Sequence, residues 1–304
     1  MKDYKGIKII GVDHGYGNIK TANTCFPTGV MSSNLEPVFT TDLLIWNGKY
    51  HSIGVGHKEF IADKFLDGDY YILTLAAVAR ELKRERITEA KVHLAVGLPL
   101  TWLSSQKEDF KKYLMKNHKV KFVFRAVEYS IEFVGIDIFP QGFPAIAENL
   151  STFKGANMLC DIGNGTMNLL KITNKKPDMN QMYTEKFGTY QCTLTIRENL
   201  MRTYHTMLDE EIITDILRTG NAEIKKEYLH TVIETAKAYT NSIFRRLRER
   251  GYDPGTMKLH VVGGGACLIE NFSHNDNSNV FIYKDICATA KGYEYLSMMK
   301  FLRG

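Results

Sequence analysis

The sequence predicts an α/β protein built as two lobes of similar design. Three observations lead there. Apolar runs of strand length alternate with amphipathic helical stretches, and 304 residues exceed the usual single domain. The third is one local plan that occurs twice: an apolar strand, an aspartate at its end, a glycine-rich turn and a return strand. It reads Val12-Asp13-His14-Gly15-Tyr16-Gly17-Asn18 and again Cys160-Asp161-Ile162-Gly163-Asn164-Gly165-Thr166. Asp161 follows Asp13 by 148 residues, a period that fits a duplicated lobe.

The elements follow in order. Ile7 to Asp13 is a nearly continuous apolar run, and Ile19 to Asn23 returns as its hairpin partner. Leu43 to Trp46 and Lys49 to Ile53 flank Asn47-Gly48, which supplies the two positive φ angles of a type I′ turn. Leu73 to Arg86 puts Leu75, Ala76, Ala79 and Leu82 on one helical face, and Lys91 to Gly97 follows as a buried strand. A helix over 105–118 opens on Ser105 with Glu108 three residues on, a capping-box pattern, with Lys107, Lys111, Lys112 and Lys116 toward solvent. Short strands are expected near 121–127 and 130–135.

The second lobe starts over with a strand at Met158 to Asp161 and another at Leu169 to Ile172. Helices over 191–218 and 221–250 are separated by Gly220-Asn221. The strand Lys258 to Val262 runs into Gly263-Gly264-Gly265, and a last helix covers about 285–301.

Composition excludes several classes. The chain is 44% apolar and 24% charged with 7 Pro, which is globular rather than disordered or collagenous. No apolar run reaches the length of about 18 residues that a membrane helix needs; the longest, Ile72 to Ala79, stops at Arg80 and Glu81. The start of the chain lacks a secretory pattern, so a cytoplasmic protein is expected. Cys25, Cys160, Cys192, Cys267 and Cys287 are scattered without a Cys-x-x-Cys pair and read as free thiols. The net charge of +5 comes from basic residues interleaved with acids, as in Arg80 to Arg86, which describes solvated helix faces. Lys107, Lys111, Lys112, Lys116 and Lys119 as a weak DNA-binding face is the alternative.

The two aspartate turns carry the chemistry. A glycine turn lets backbone N–H groups approach an anion, and an aspartate at the strand end can hold a hydrated cation against it. Each turn alone also reads as an ordinary hairpin; the pairing favours a metal-phosphate clamp. Both carboxylates are then expected to face one Mg²⁺-phosphate group. Gly263-Gly264-Gly265, before the helix start at Ala266, admits either a flat ligand or phosphate beside bare backbone, or a plain loop. No G-x-x-x-x-G-K-[ST], complete G-x-G-x-x-G, H-E-x-x-H or G-x-S-x-G motif is present. His93, inside a strand, reads as structural.

The Asp13 turn, Val96-Gly97-Leu98-Pro99-Leu100-Thr101, Pro140-Gln141-Gly142, Asp161 to Thr166, Phe187-Gly188-Thr189, Val261 to Ala266 with Leu268-Ile269, and Ala290-Lys291-Gly292 occur in that order. In sequence and spacing they resemble the ATPase superfamily of actin, the heat-shock chaperones and the sugar kinases. Within it they look most like the ParM/StbA family of bacterial actin-like plasmid-segregation ATPases. The resemblance spans essentially the whole chain.

It implies an actin-like two-lobed fold of two duplicated RNase H-like α/β domains with a nucleotide cleft between them. Lobe I would be 1–155 with the C-terminal helix 290–304 returning to it, and lobe II 156–289. Asp13, Gly15, Tyr16, Gly17 and Asn18 would form the first phosphate loop, and Lys20 would reach the phosphates. Asp161 would position Mg²⁺ waters and the attacking water, Gly163, Asn164, Gly165 and Thr166 would form the second loop, and Gly263, Gly264 and Gly265 would border the adenosine. ATP, or GTP as the alternative, and Mg²⁺ would be the cofactors. Filaments of the protein itself would form head to tail, and an adaptor bound to a centromere-like plasmid site would make the DNA contact, with no tight direct nucleic-acid binding and no membrane.

One departure stands out. Where ParM-like sequences usually show Pro-Glu, this chain has Pro140-Gln141. A neutral amide orients water rather than taking its proton, so Gln141 with Asp161 implies slow hydrolysis timed by assembly, with Glu148 a weaker candidate. The rivals are a small-molecule kinase of the same superfamily and a non-hydrolysing nucleotide-gated scaffold.

Overall fold

A computed structural model describes residues 1–39, 41–55, 68–273 and 278–303. Its chain divides into two units, Met1–Asn149 with Cys287–Gly304, and Leu150–Ile286.

The first unit begins with β1 (Lys2–Tyr4), β2 (Ile7–His14), β3 (Asn18–Lys20) and β4 (Cys25–Pro27). Strand β3 stops at Lys20, short of the expected Asn23, because the next residues turn toward a buried carboxylate. Thr21 Oγ1 and the Asn23 N–H donate to Glu81 Oε1, and Asn23 Nδ2 donates to Oε2. Strands β5 (Val30–Ser33), β6 (Leu43–Trp46) and β7 (Lys49–Ile53) follow, the last two joined by Asn47 (φ 50°) and Gly48 (φ 71°) as the turn chemistry requires.

Helix α1 (Asp69–Arg84) begins four residues earlier than the apolar pattern marks, since Tyr70 and Tyr71 are buried with Ile72 to Ala79. Each fully buried Leu, Ile or Val there contributes about 1.5–3 kcal/mol. After β8 (Glu89–Leu98), a 3₁₀ turn over Leu100–Trp102 leads into α2 (Leu103–Leu114). Ser105 therefore lies inside α2 and donates back to the Trp102 carbonyl, so no capping box forms. Strands β9 (Lys119–Phe124) and β10 (Val127–Pro140) and the single turn α3 (Pro144–Ala147) complete this stretch.

The second unit holds β11 (Ala156–Ile162), β12 (Met167–Thr173), β13 (Lys176–Glu185), α4 (Thr189–Tyr204), α5 (Glu210–Thr219), α6 (Lys226–Glu249), β14 (Met257–Val262), α7 (Ala266–Phe272) and β15 (Val280–Ile282). The helix expected over 191–218 is two helices, because His205 turns left-handed at the end of α4 (φ 52°). Helix α8 (Ala288–Arg303) then packs in the first unit against β2, β8 and α3. Glycine allows this approach: a Cβ at Gly11 would lie 2.1 Å from the Ala290 carbonyl oxygen, and one at Gly292 lies 1.9 Å from that of Pro144. Asp137 on β10 anchors α8 through Ser297 Oγ and Lys300 Nζ, both at 2.7 Å, and accepts His93 Nε2 at 3.1 Å. His93 is thus a structural histidine.

Topology exposes the duplication. The first sheet contains the path β4-β3-β2-β8-β10, and the second is β13-β12-β11-β14-β15. In both, the first two pairings are antiparallel and the last two parallel. The central strands β2 and β11 correspond, and each ends in its aspartate turn.

Candidate functional site

In the first unit, Asp13 near the end of β2 faces Lys20 across the hairpin, and Lys20 faces Cys25 on β4. Directly opposed residues of antiparallel strands project to one side, so carboxylate, ammonium and thiol form a row. The turn between them is tightly tied. The Gly15 N–H donates to the Asp13 carbonyl, while Thr28 holds the carbonyls of Gly17 and Gly15 through its N–H and its hydroxyl. A Cβ on Gly15 would lie 2.5 Å from the Asn18 carbonyl oxygen. Tyr16 is buried and Asn18 exposed. His14 points the other way, fully buried with Nε2 2.8 Å from Thr74 Oγ1.

Gln141 joins this loop from β10. Its N–H donates to the Leu98 carbonyl, extending the β8–β10 ladder by one residue, and its Nε2 donates to Asp13 Oδ1 at 3.2 Å. An ionised carboxylate is acceptor only, so it fixes the amide with its NH₂ toward Asp13 and leaves Oε1 as an acceptor on the other side. Glu148 is exposed and caps α3.

In the second unit, Asp161 lies at the end of β11 beside Val262 of β14 and Asn168 of β12. The Gly163 N–H closes the loop onto the Thr166 carbonyl. The loop carbonyls of Gly163 and Asn164 accept the N–H groups of Thr189 and Tyr190, the first residues of α4. Gly263 turns left-handed (φ 88°), and a Cβ there would sit 2.5 Å from Asp161 Oδ1; the Gly265 N–H donates to the Ile162 carbonyl. Gly264 has open space around it. Asp161, the Gly163–Thr166 loop and the glycine run are therefore one assembly, as Asp13, the Gly15–Asn18 loop, Lys20 and Gln141 are in the first unit.

The supports of both loops lie outside the site residues expected from the sequence. Thr28, Gly188 and Tyr239 hold these loops without belonging to a phosphate motif. The only signal was the glycine of Phe187-Gly188-Thr189: a Cβ on Gly188 would lie 2.2 Å from the Asn164 carbonyl oxygen.

Among the described residues, no three His, Cys, Asp or Glu side chains are grouped to hold a metal. A phosphate-bound Mg²⁺ keeps most of its waters and uses one or two carboxylates, and each loop supplies one, Asp13 in the first unit and Asp161 in the second. A cavity of about 440 Å³ lined by Lys91, Lys119, Lys121, Glu89 and Glu132 lies where β8 and β10 begin, at the opposite strand ends from Gln141, and takes no part in this chemistry.

The duplicated five-strand plan with an aspartate loop in each copy goes with the two-domain actin-like fold. Residues 11–143 match the family model described as the N-terminal domain of actin-like proteins. An archaeal actin homologue in complex with ADP is similar over 96% of this chain and 99% of its own, at 17% identity and a TM-score of 0.76. A ParM of a 15-stranded filament from Clostridium botulinum matches with the same coverages, 17% identity and a TM-score of 0.75. Bacillus thuringiensis ParM with ATP matches over 98% of this chain and all of its own, at 12% identity and a TM-score of 0.70. No curated protein sequence matches the chain. Among the described residues, no helix is long and apolar enough to cross a membrane.

Proposed function

We propose that this chain is a cytoplasmic ATPase that polymerises into nucleotide-dependent filaments and segregates plasmid DNA. The observation that carries the reading is the same aspartate loop built twice, once with Gln141 on Asp13 and once with Gly263 on Asp161. The similar structures with ADP, with ATP and in a filament support it.

In this reading Asp13 and Asp161 are the carboxylates that would hold Mg²⁺ through water, and Lys20 would neutralise phosphate charge. The N–H groups around Gly15–Asn18 and Gly163–Thr166 cradle the phosphates, and Gly263–Gly265 borders the nucleoside. Bound Mg²⁺ supplies charge neutralisation, which phosphoryl transfer needs more than covalent chemistry. Gln141 Oε1 would accept a hydrogen bond from the attacking water and orient it, and Asp161 is the other catalytic candidate. Filaments grow by a head-to-tail contact, which does not close on itself and so propagates. An adaptor on a centromere-like site links filament to DNA.

Nucleotide titration with ATP, GTP and Mg²⁺, followed by electron microscopy of the same samples, tests this. Micromolar ATP binding with filaments supports it. Phosphate release only on adding an alcohol would make the protein a kinase, and binding without turnover would make it a scaffold.

A further inference from the structure

Tyr239 lies in the middle of α6, outside every phosphate motif, and is nearly buried. Its hydroxyl donates to the Gly188 carbonyl at 2.8 Å, and its ring stacks on Phe187 with centroids 4.4 Å apart and planes 11° from parallel. Arg246, two helical turns further along α6, sets its guanidinium 4.1 Å from the same Phe187 ring and bonds Glu185 at 2.7 Å. Burial pushes the Tyr239 hydroxyl far above its usual range, so it remains a donor at every working pH. One residue along, Thr189 and Tyr190 donate to the carbonyls of Gly163 and Asn164, and Gly188 packs too closely on Asn164 for any side chain.

These contacts form one chain: the Tyr239 hydroxyl, the Gly188 carbonyl, the first turn of α4, and the carbonyl edge of the Gly163–Thr166 loop. A peptide whose carbonyl is pinned has its N–H direction fixed by planarity. We infer that Tyr239 is a positioning residue for the nucleotide site, setting the direction in which the second loop presents its amides to phosphate. The inference rests on the nucleotide-binding reading above. It identifies a residue 76 positions beyond Gly163, on a different helix, as a determinant of phosphate affinity.

The test is Tyr239→Phe, which keeps the stacked ring and removes only the hydroxyl. Tyr204→Phe is the control: Tyr204 closes α4 at the end away from the loop, where its hydroxyl donates to the Glu227 carbonyl at 3.4 Å and accepts from Thr231 Oγ1 at 3.5 Å. We expect the Kd for ADP and the KM for ATP, each with Mg²⁺, to rise about fivefold to tenfold in Tyr239→Phe, the scale of one lost buried hydrogen bond, with kcat at saturating ATP within about twofold. Tyr204→Phe should bind as the parent does. Equal nucleotide affinity in Tyr239→Phe and the parent overturns the inference, as does an equal loss in both variants, which would mark general loosening. A parent protein that binds no nucleotide overturns the site reading itself, and the positioning role with it.

Discussion

The side-chain amide of Gln141 donates to the carboxylate of Asp13 at 3.2 Å, joining residues 128 positions apart in sequence. This pairing gives the neutral amide a defined orientation, which an isolated glutamine lacks. Gln141→Ala should retain ATP binding and assembly while phosphate release from assembled protein falls about 10²-fold. Unchanged release would move the water-orienting role elsewhere, with Glu148 next to test.

The same contact gives a Gln141→Glu variant a pH signature. In Gln141→Glu, two carboxylates meet at hydrogen-bond distance, which raises the folded-state pKa of the pair above its unfolded value. Stability is then lost as pH rises, so the Tm deficit of Gln141→Glu relative to Gln141→Ala should grow from pH 4 to pH 7. A deficit that is constant or shrinks with pH would mean the two side chains do not meet.

Gly263 and Gly264 are adjacent but physically unlike. Gly263 combines φ 88° with a Cβ position 2.5 Å from both Asp161 Oδ1 and the Ile162 carbonyl oxygen, whereas Gly264 faces open space. Gly263→Ala should destabilise the protein by at least about 2 kcal/mol and weaken nucleotide binding. Gly264→Ala should cost less than about 1 kcal/mol. Comparable denaturation midpoints for the two variants would contradict the assigned geometry.

Glu294 on α8 supplies a pH signature. Its Oε1 accepts the Gly11 N–H at 3.0 Å, and burial raises its carboxyl to about 7, against the pull of the Met1 ammonium 3.4 Å away; Glu81 is the other charged group beside it. A folded pKa above the unfolded value means that the folded state binds the extra proton between the two, so stability falls as pH rises from about 4.5 to 7. Glu294→Gln should flatten that part of the Tm–pH curve. A curve of unchanged slope would show that Glu294 does not titrate there.

Much of the fold could be read in the chain because buried parallel strands are near-continuous apolar runs: β2, β8, β11 and β14 announce themselves, as does the Asn47-Gly48 hairpin. Turns without glycine do not. Arg125-Ala126 and Asn174-Lys175 adopt the same two positive φ angles with no sequence signal, and His205 splits a helix in the same conformation. The site divides likewise. Asp13, Asp161 and their glycines are local patterns, while the Gln141–Asp13 and Tyr239–Gly188 bonds arise only when distant strands and helices pack.

The lysines bear on the proposed route to DNA. Val120, Phe122 and Phe124 of β9 enter the core with Phe110 and Leu114 of α2, so the alternating Lys119 and Lys121 lie on the other face of the sheet from Lys107, Lys111 and Lys112. Lys116 sets its ammonium 4.1 Å from the Tyr71 ring. The five lysines considered as a DNA face are therefore divided between two faces. Gel shifts at about 150 mM salt should show no direct binding tighter than about 10⁻⁶ M; sub-micromolar binding without an adaptor would refute the indirect contact.

Phosphate release and light scattering recorded together on one sample with ATP and Mg²⁺ decide whether the chain is a filament-forming ATPase. A filament-forming ATPase gives scattering that rises only above a critical protein concentration, with phosphate release following assembly. Phosphate release proportional to protein concentration with no scattering, or neither signal at any concentration, would contradict it.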